Sequence, residues 1–368
     1  MRTQCERRGA TLPGVIVMAT VMLLMLVYTT LLVRGATAVP RAKRQALQAD
    51  AAAVTVLGYM LDEWPIAWRT MATGATASRA YSIDGIGVTG TLTRISADEY
   101  RTTLAMTGPN VAETRVVTMG RRTLSFGWAE PIATLGAVSF QAGSSIYGTD
   151  AAGCVPLAAE SAGLRMNAGY SLSPNDGSFI AVSAAERVND GTMTSASLSL
   201  LGDFTVADLA DMANLVYSTS TTLTATDLNR TVGPDVNGQC LTGWGSPGLV
   251  TGCEGFFPIV RATAPLSLTG GYAQGIIISD ASLTISGGTK FYGVIIARGA
   301  GGVSISGSGT EVRGRIISIT NGAPVSIGAG AIVGGSSCVL SQLQNSRAIA
   351  RPIPRTSVFD ILGSGRVR

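Results

Sequence analysis

Hydrophobic positions form one long uninterrupted run near the start of the sequence. From Gly9 to Val33 no residue carries a charge, and arginines stand at both ends of the run, at Arg8 and Arg34. A helix rises ~1.5 Å per residue and the hydrocarbon core of a bilayer is ~30 Å thick, so a helix over this run is long enough to cross a membrane. The pattern predicts a transmembrane helix, with the rest of the chain exported or tethered at a membrane face.

A helical pattern continues beyond this run. The following segment is rich in Ala, Leu and Gln, which favour helices. Its large apolar residues share one helical face, and these are Leu47, Val54, Leu57 and Leu61. Pro40 predicts a kink and Pro65 the end of the helix. Residues 10–62 are therefore expected to form one N-terminal helix, transmembrane in its first part and amphipathic in its second.

Residues 63–135 are expected to form a small antiparallel sheet. Three segments between 80 and 128 show partial alternation of apolar and polar residues, separated by Ser-Ala-Asp and Gly-Pro-Asn turn signals. An amphipathic helix and a sheet each expose an apolar face that neither can bury alone. We therefore expect this meander to cover the apolar face of the preceding helix.

Two interleaved series of repeats occupy residues 262–338. The first series begins at Leu266, Leu283, Val303 and Val325, and the second at Gly275, Gly293 and Gly314. A repeat of about 20 residues indicates stacked units, none of which can bury its apolar face alone. Alternation such as Leu-Thr-Ile places aliphatic side chains inside and hydroxyls outside. This region is predicted to be a parallel β-solenoid.

The remaining segments are interpreted relative to this solenoid. Residues 136–154 look like an earlier coil, and 155–261 are expected to be an insertion. Residues 339–368 are predicted to form a short helix that caps the solenoid end, followed by an extended tail. The expected fold class is mainly β, with one long N-terminal transmembrane α-helix, a small antiparallel sheet and a C-terminal parallel β-helix or solenoid.

The overall charge argues against a polyanionic partner. The 368-residue chain has a net charge of +4, no His, and only 14% charged residues. No basic patch or stripe of the kind that binds a phosphate backbone is present in the sequence. We therefore expect no nucleic-acid partner.

The N-terminus fits two kinds of export signal. A secretory signal peptide would be cut after Ala38, although its apolar core is normally only ~7–15 residues long. A class III signal has a short basic leader that ends in Gly, so residues 1–9 would be removed by cleavage between Gly9 and Ala10 and the apolar helix would be kept. The two interpretations predict mature chains that begin at Val39 and at Ala10.

Two parts of the sequence carry family-specific motifs. The first is Arg7-Arg8-Gly9 with the Ala-Thr-Leu that follows it. The second, between Cys240 and Ile361, includes Phe256-Phe-Pro-Ile, Phe291-Tyr-Gly-Val-Ile-Ile-Ala-Arg-Gly and Arg351-Pro-Ile-Pro. Together they resemble the PilX type of minor pilins in the type IV pilin family, although Gly14 stands where most pilins carry Glu. The resemblance implies a minor pilin or pseudopilin that is processed by a prepilin peptidase.

The cysteines are expected to form disulfides. Of the five, Cys5 lies in the class III leader, which leaves an even number in an exported chain. Cys240 and Cys253 enclose a loop rich in Gly and Pro and are expected to pair, which leaves Cys154 and Cys338 as the second pair by subtraction. A zinc site is not expected, because the sequence has neither a CxxC motif nor a His.

Some β-solenoid proteins are enzymes that cleave polysaccharides, and the sequence argues against this alternative. Polysaccharide hydrolysis requires paired carboxylates on one face. Between residues 262 and 336 the acids are Asp280 and Glu311, about one and a half coils apart. Without His the common general base is missing as well. We expect no catalytic residues, no metal, no cofactor and no enzymatic activity.

The sequence thus predicts a non-enzymatic, pilin-like structural subunit for a type IV pilus or a related fibre. Its expected partners are other pilins or pseudopilins, which pack on its N-terminal helix, the prepilin peptidase and the inner membrane. Its expected localisation is single-pass in the inner membrane, with the C-terminal domain outside the cytoplasm. The alternative is a secreted or surface-anchored β-solenoid protein that binds or cleaves polysaccharide.

Overall fold

The computed structural model describes residues 11–109, 111–148, 161–167, 169, 172–174, 187–230, 240, 243–245, 253 and 255–354. Over this part, the chain is mostly β, with five-stranded, ten-stranded and seven-stranded sheets and one two-stranded sheet. The five-stranded sheet is antiparallel and lies against the N-terminal helix. The ten-stranded and seven-stranded sheets are built from parallel pairs.

The N-terminal part contains two helices and four strands. Their bounds are α1 (Thr11–Glu63), α2 (Ile66–Arg69), β1 (Thr76–Ile83), β2 (Ile86–Arg94), β3 (Glu99–Gly108) and β4 (Val111–Arg121). Consecutive strands pair as hairpins, from Ile83 opposite Ile86 to Gly108 opposite Val111. This is the antiparallel meander that the alternation predicts.

The predicted transmembrane helix is wrong. Among the described residues, no helix is long and apolar enough to cross a membrane. A span requires ~20 consecutive, mainly apolar residues. In α1 the described apolar side chains lie at 18 and 20–31, whereas its described segment 44–63 carries acidic residues and packs on a sheet. The fold is therefore mostly β with several sheets. The predicted single-pass localisation in the inner membrane, with the membrane as a partner, is not supported.

The helix face that packs on the meander differs from the predicted one. Leu57 is buried, but Leu47 is 67% exposed. The buried stripe is formed mainly by small side chains and ends in larger ones: Ala49, Ala52, Ala53, Val56, Met60 and Trp64. Apart from the adjacent Ala52 and Ala53, these positions recur every three or four residues, as one helical face requires, and Trp64 directly follows the end of α1. Alanines allow the helix to approach the sheet closely, and sequence analysis, which weighted large apolar residues, missed them.

The middle of the chain supplies short strands and three short helices. Their bounds are β5 (Ile132–Thr134), β6 (Val138–Phe140), β7 (Ser145–Tyr147), β8 (Leu164–Met166), β9 (Leu172–Pro174), β10 (Arg187–Asn189), α3 (Ser195–Leu198), β11 (Leu200–Leu201), β12 (Phe204–Thr205), α4 (Val206–Asp211), β13 (Leu215–Tyr217), β14 (Thr221–Thr224) and α5 (Ala225–Leu228). Among the described strands, β11 and β12 pair only with each other.

The C-terminal part contains the repeats and the last two helices. Its elements are β15 (Ile259–Ala262), β16 (Leu266–Thr269), β17 (Tyr272–Ser279), β18 (Leu283–Ser286), β19 (Lys290–Ala297), β20 (Val303–Ile305), β21 (Glu311–Ser318), β22 (Val325–Ile327), β23 (Ile332–Gly334), α6 (Ser337–Gln344), α7 (Arg347–Ala350) and β24 (Pro352–Pro354).

Both repeat series stack in register. In the first, Leu266, Leu283, Val303 and Val325 form one column of in-register pairs. In the second, Gly293 lies between Gly275 and Gly314. A Cβ atom at Gly293 would come 1.8 Å from the carbonyl oxygen of Gly275, and its φ of +150° is one that side chains disfavour. The glycine column is therefore required by the close approach of neighbouring coils.

The coils do not stack in the order of the sequence. The ten-stranded sheet has the main order β10-β8-β5-β21-β19-β17-β15-β13, with β23 beside β21 and β7 beside β23. The last repeat coil therefore stacks on the first coil, where β21 pairs with β5 and β22 with β6. Residues 132–134, which sequence analysis placed with the meander, belong to this sheet.

The region interpreted as an insertion contributes strands to the same stack. Strands β8, β9 and β10 extend it beyond the first coil, while β13 and β14 extend it at the opposite end. The chain between β10 and β13 must therefore travel the length of the ten-stranded sheet. We call this connection, residues 190–214, the crossover. Sequence analysis missed the strands of this region because they are short and carry neither repeat motif.

The central strands of the ten-stranded sheet, β17, β19 and β21, are mostly buried on both faces. Ile277 and Ile295 point into the solenoid core, while Ile276, Ile278 and Ile296 lie in a second apolar cluster outside it. That second cluster includes crossover residues such as Phe204 and Leu209. Strands buried on both faces have continuous apolar sequence instead of alternation. This is the physical reason for the isoleucine triplet of β17.

Helix α6 does not cap the solenoid end as predicted. Its apolar residues Val339 and Leu343 pack in the outer cluster, against β19 and β21. The chain then returns through α7, and β24 joins the meander as an antiparallel partner of β4, with Ile353 opposite Gly120. The described C-terminal segment thus links the solenoid to the N-terminal sheet.

Candidate functional site

The predicted processing junction and one of the four predicted disulfide cysteines lie outside the described residues. This applies to Gly9 and Ala10, and also to Cys154. Cys338, its predicted partner, is disulfide-bonded and stands in the first turn of α6. Nothing in the described part of the chain tests the class III leader.

The other predicted pair, Cys240 and Cys253, is joined by a disulfide with a Cα–Cα distance of 5.6 Å. The loop that it closes holds Trp244, which is 3% exposed and packs in the solenoid core. The indole stacks on Tyr217 with the ring centroids 6.2 Å apart. The backbone carbonyl of Trp244 accepts a hydrogen bond from the backbone N–H of Gln274. The disulfide therefore holds an aromatic side chain against the outer coils of the stack.

The first part of α1 presents apolar side chains in every direction. We call Met18 and residues 20–31 the apolar segment. Its large side chains are 47–68% exposed, and they are Met18, Val21, Met22, Leu23, Leu24, Met25, Leu26, Val27, Tyr28 and Leu31. Successive residues of a helix point about 100° apart, so the consecutive positions cover the whole circumference. An exposed apolar surface of this kind marks an interaction site.

Two threonines within the apolar segment form side-chain hydrogen bonds inside the helix. The hydroxyl of Thr29 donates to the Met25 carbonyl at 2.8 Å, and that of Thr30 donates to the Leu26 carbonyl. Such bonds to the preceding turn satisfy the hydroxyl within the helix. The segment can therefore be buried against another apolar surface without leaving these hydroxyls unpaired, a feature that sequence analysis did not recognise.

A buried ion pair fixes the second half of α1 to the meander. The side chain of Arg115, in β4, is 4% exposed. Its Nη2 donates to Asp50 Oδ1 in α1 at 2.8 Å and to Glu113 Oε2 at 2.7 Å. Removing one partner of a buried pair is strongly destabilising. The pair therefore orients the apolar segment relative to the sheet.

The outer face of the seven-stranded sheet is lined with hydroxyls. Inward positions such as Leu268 and Ile285 are buried, while the outward positions alternate with them. The outward residues are Ser139, Thr222, Thr224, Ser267, Thr269, Thr284, Ser286, Ser304 and Ser326. Ser139 and Ser326 are hydrogen-bonded at 3.0 Å. This uncharged surface is the rigid Ser- and Thr-rich face that the repeat alternation predicts.

The carboxylates considered for catalysis are engaged in ion pairs. Asp280 contacts Arg261 at 3.1 Å and Arg298 at 3.0 Å. Glu311 contacts Lys290 at 2.8 Å and also Arg313. Burial opposes ionisation of Glu311, but the hydrogen bonds from these two cations outweigh it, and the pKa of Glu311 is lowered. Both carboxylates thus serve to join neighbouring coils.

One cavity of about 190 Å³ lies where the crossover leaves the stack. It is lined by residues that include Trp128, Arg165, Asp190 and Met193. Arg165 is paired with Asp190 at 2.8 Å and with Glu130 at 3.0 Å, so its charge is matched within the protein. Among the residues that the structure describes, no group of three or more His, Cys, Asp or Glu side chains could hold a metal ion.

Comparisons with known proteins leave the family open. No protein-family model matches the chain, and no curated protein matches it. Among solved structures, the competence-associated pilin ComZ from Thermus thermophilus is similar over 79% of this chain and 90% of its own, at 10% sequence identity and a TM-score of 0.25. A likeness this weak assigns neither a fold nor a function to the chain.

Proposed function

We propose that this protein is a non-enzymatic, pilin-like structural subunit, a minor pilin or pseudopilin of the PilX type, in a type IV pilus or a related fibre. The observation that carries the proposal is the apolar segment of α1. Its consecutive large apolar side chains are exposed all around the helix, from Val21 to Tyr28. A helix that is apolar on every side is one that becomes buried.

A bundle of helices is the partner that suits this segment. A single groove covers one side of a helix, whereas Met22, Leu23, Leu24 and Met25 point in four different directions. Several neighbouring helices are needed to cover all of them. The N-terminal helices of other pilin-like subunits, packed side by side in a fibre, supply such an environment.

The rest of the described chain is suited to project from such a bundle as a rigid body. The Arg115–Asp50 pair holds α1 on the meander, and the ion pair of Arg351 with Asp62 at 2.9 Å ties the C-terminal segment to the end of α1. Processing between Gly9 and Ala10 by a prepilin peptidase completes the proposal, on the strength of the sequence resemblance alone.

The proposal is tested by looking for the protein in fibres. Surface fibres are sheared from cells that produce the full chain and analysed by mass spectrometry. We expect the wild-type chain in the fibre fraction and a loss of at least tenfold for Leu24→Glu, which places a charge inside the helix bundle. Val216→Glu is the matched control, because Val216 is an equally exposed apolar residue, at 60%, outside the helix. Absence of the wild-type chain from the fibres, or equal incorporation of both variants, would contradict the proposal.

A further inference from the structure

Three arginines meet at the point where α6 ends. Arg69 closes α2, Arg121 closes β4 and Arg347 opens α7. Arg69 Nη1 donates to the Asn345 carbonyl at 3.0 Å, and Arg121 Nη2 donates to the Gln344 carbonyl at 2.6 Å. The side chain of Arg347 donates to the carbonyl of Asp62. Elements of the N-terminal part and of the C-terminal segment thus converge here.

No carboxylate among the described residues balances the positive charge of this group. None of the three guanidinium groups forms a salt bridge with a described side chain, and the carboxylate of Asp62 is paired with Arg351 instead. Burial, together with the charges of Arg347 and Arg121, lowers the pKa of Arg69 to about 10. Arg69 therefore remains protonated at neutral pH, and three positive charges are held close together by carbonyl oxygens.

Two buried polar atoms in the same place lack a hydrogen-bond partner among the described residues. One is Nε of Arg69, and the other is Oγ of Ser346, a residue that is 1% exposed. Ser346 lies between Asn345, which contacts Arg69 and Arg121, and Arg347. Buried donors in native proteins nearly always have a partner. Both of these atoms can donate, so the missing partner is an acceptor.

We propose that the group formed by Arg69, Arg121, Arg347 and Ser346 binds a small tetrahedral oxyanion of the phosphate or sulfate class. Guanidinium groups bind such anions with paired, charge-assisted hydrogen bonds. The oxyanion accepts bonds from Arg69 Nε and Ser346 Oγ and offsets the repulsion among the three arginines. Bound there, it joins α2 and β4 to the segment between α6 and α7, and so locks the solenoid to the helix and meander.

The test is thermal unfolding of the full chain as chloride is replaced by sodium phosphate or sulfate at constant ionic strength. A ligand that binds only the folded state raises Tm in a saturable way. We expect this rise for the wild type, and an apparent affinity at least tenfold weaker for Ser346→Ala and Arg347→Gln. Ser346→Ala removes a hydroxyl that makes no side-chain cap in α7, so this variant should fold normally.

Arg79→Gln is the matched control. It also removes one positive charge, but from a pair with Glu63 in which the Arg79 side chain is 45% exposed. The control should keep the wild-type response to phosphate. Two results would overturn the site: no saturable rise in the wild type, as expected if the two buried atoms are satisfied by water, or the same rise in the wild type and all three variants, as expected for a general salt effect.

Discussion

Ile132 in β5 lies in register beside Ile316 in β21, so the first coil of the solenoid is the spatial neighbour of the last repeat coil. Residues far apart in sequence thereby form one continuous sheet. At this junction Gly136 packs so tightly that a Cβ atom would come 1.8 Å from the Ala323 carbonyl oxygen. The junction can therefore be probed with a single methyl group.

Gly136→Ala should destabilise the protein by about 1–3 kcal/mol, because the added methyl forces the two coils apart. Gly127→Ala is the control, since a Cβ atom there meets nothing within 4 Å, and its effect should stay within about 0.5 kcal/mol. Urea unfolding followed by circular dichroism measures both. Equal stability of the two variants would show that the first and last coils are not stacked as described.

Asp50→Asn should lower the free energy of unfolding by about 1.5–3 kcal/mol, since it leaves the buried guanidinium of Arg115 with one of its two carboxylates. Arg79→Gln, which breaks an exposed pair, should cost only about 0–1 kcal/mol. Chemical unfolding of both variants provides the comparison. If Asp50→Asn proved as mild as the control, the ion pair would not be what holds α1 to the meander.

Replacing both Cys240 and Cys253 by Ser should lower stability by about 3 kcal/mol, because a short loop is no longer closed in the unfolded chain. Trp244 should then become more accessible to a fluorescence quencher, since the loop holds it in the core. The substitution Trp244→Phe, made in the wild type and in the double cysteine variant, identifies the part of the fluorescence that comes from Trp244. A stability loss below about 1 kcal/mol with unchanged quenching would mean that packing alone retains the loop.

Stability should fall in acid partly through Asp208. The backbone N–H of Thr205 donates to this carboxylate at 2.8 Å. This hydrogen bond lowers the pKa of Asp208, and the Thr205 hydroxyl and Arg122 lower it further. A carboxylate with a lowered folded-state pKa contributes stability above its unfolded pKa of about 3.9 and loses it as the pH falls through the folded value.

The stability difference between wild type and Asp208→Asn should therefore be largest near neutral pH and should shrink below about pH 4. Unfolding free energies of both proteins between neutral pH and pH 3 measure it. Asp84→Asn is the control, because no described hydrogen bond or ion pair involves the Asp84 side chain. A constant difference for Asp208→Asn across the range would rule out the capping carboxylate as a source of acid sensitivity.

Local patterns in the sequence predicted local structure well. The alternation in Leu283-Thr-Ile and its relatives gave the inward and outward faces, and the glycine column followed from the repeat spacing. These features depend on periods of two residues and of one coil, which a sequence displays directly.

Features that depend on packing between distant segments were not predictable in this way. The stacking of β21 on β5 and the path of the crossover leave no periodic signal. The position of α6 on the outer sheet face was missed for the same reason, although the isoleucine triplet of β17 already indicated burial on both faces. Ion pairs such as Arg115 with Asp50 join residues whose proximity only the fold creates.

The central claim, that the apolar segment of α1 packs among the helices of other fibre subunits, is tested most directly by photocrosslinking in cells. A benzoylphenylalanine probe replaces Leu24, which is 63% exposed, and a second sample carries the same probe at Val216. We predict that the Leu24 probe, and not the Val216 probe, forms adducts whose peptides map to the N-terminal helices of pilin-like subunits or of second copies of this chain. Adducts absent at Leu24, or equally frequent at both positions, would contradict the account.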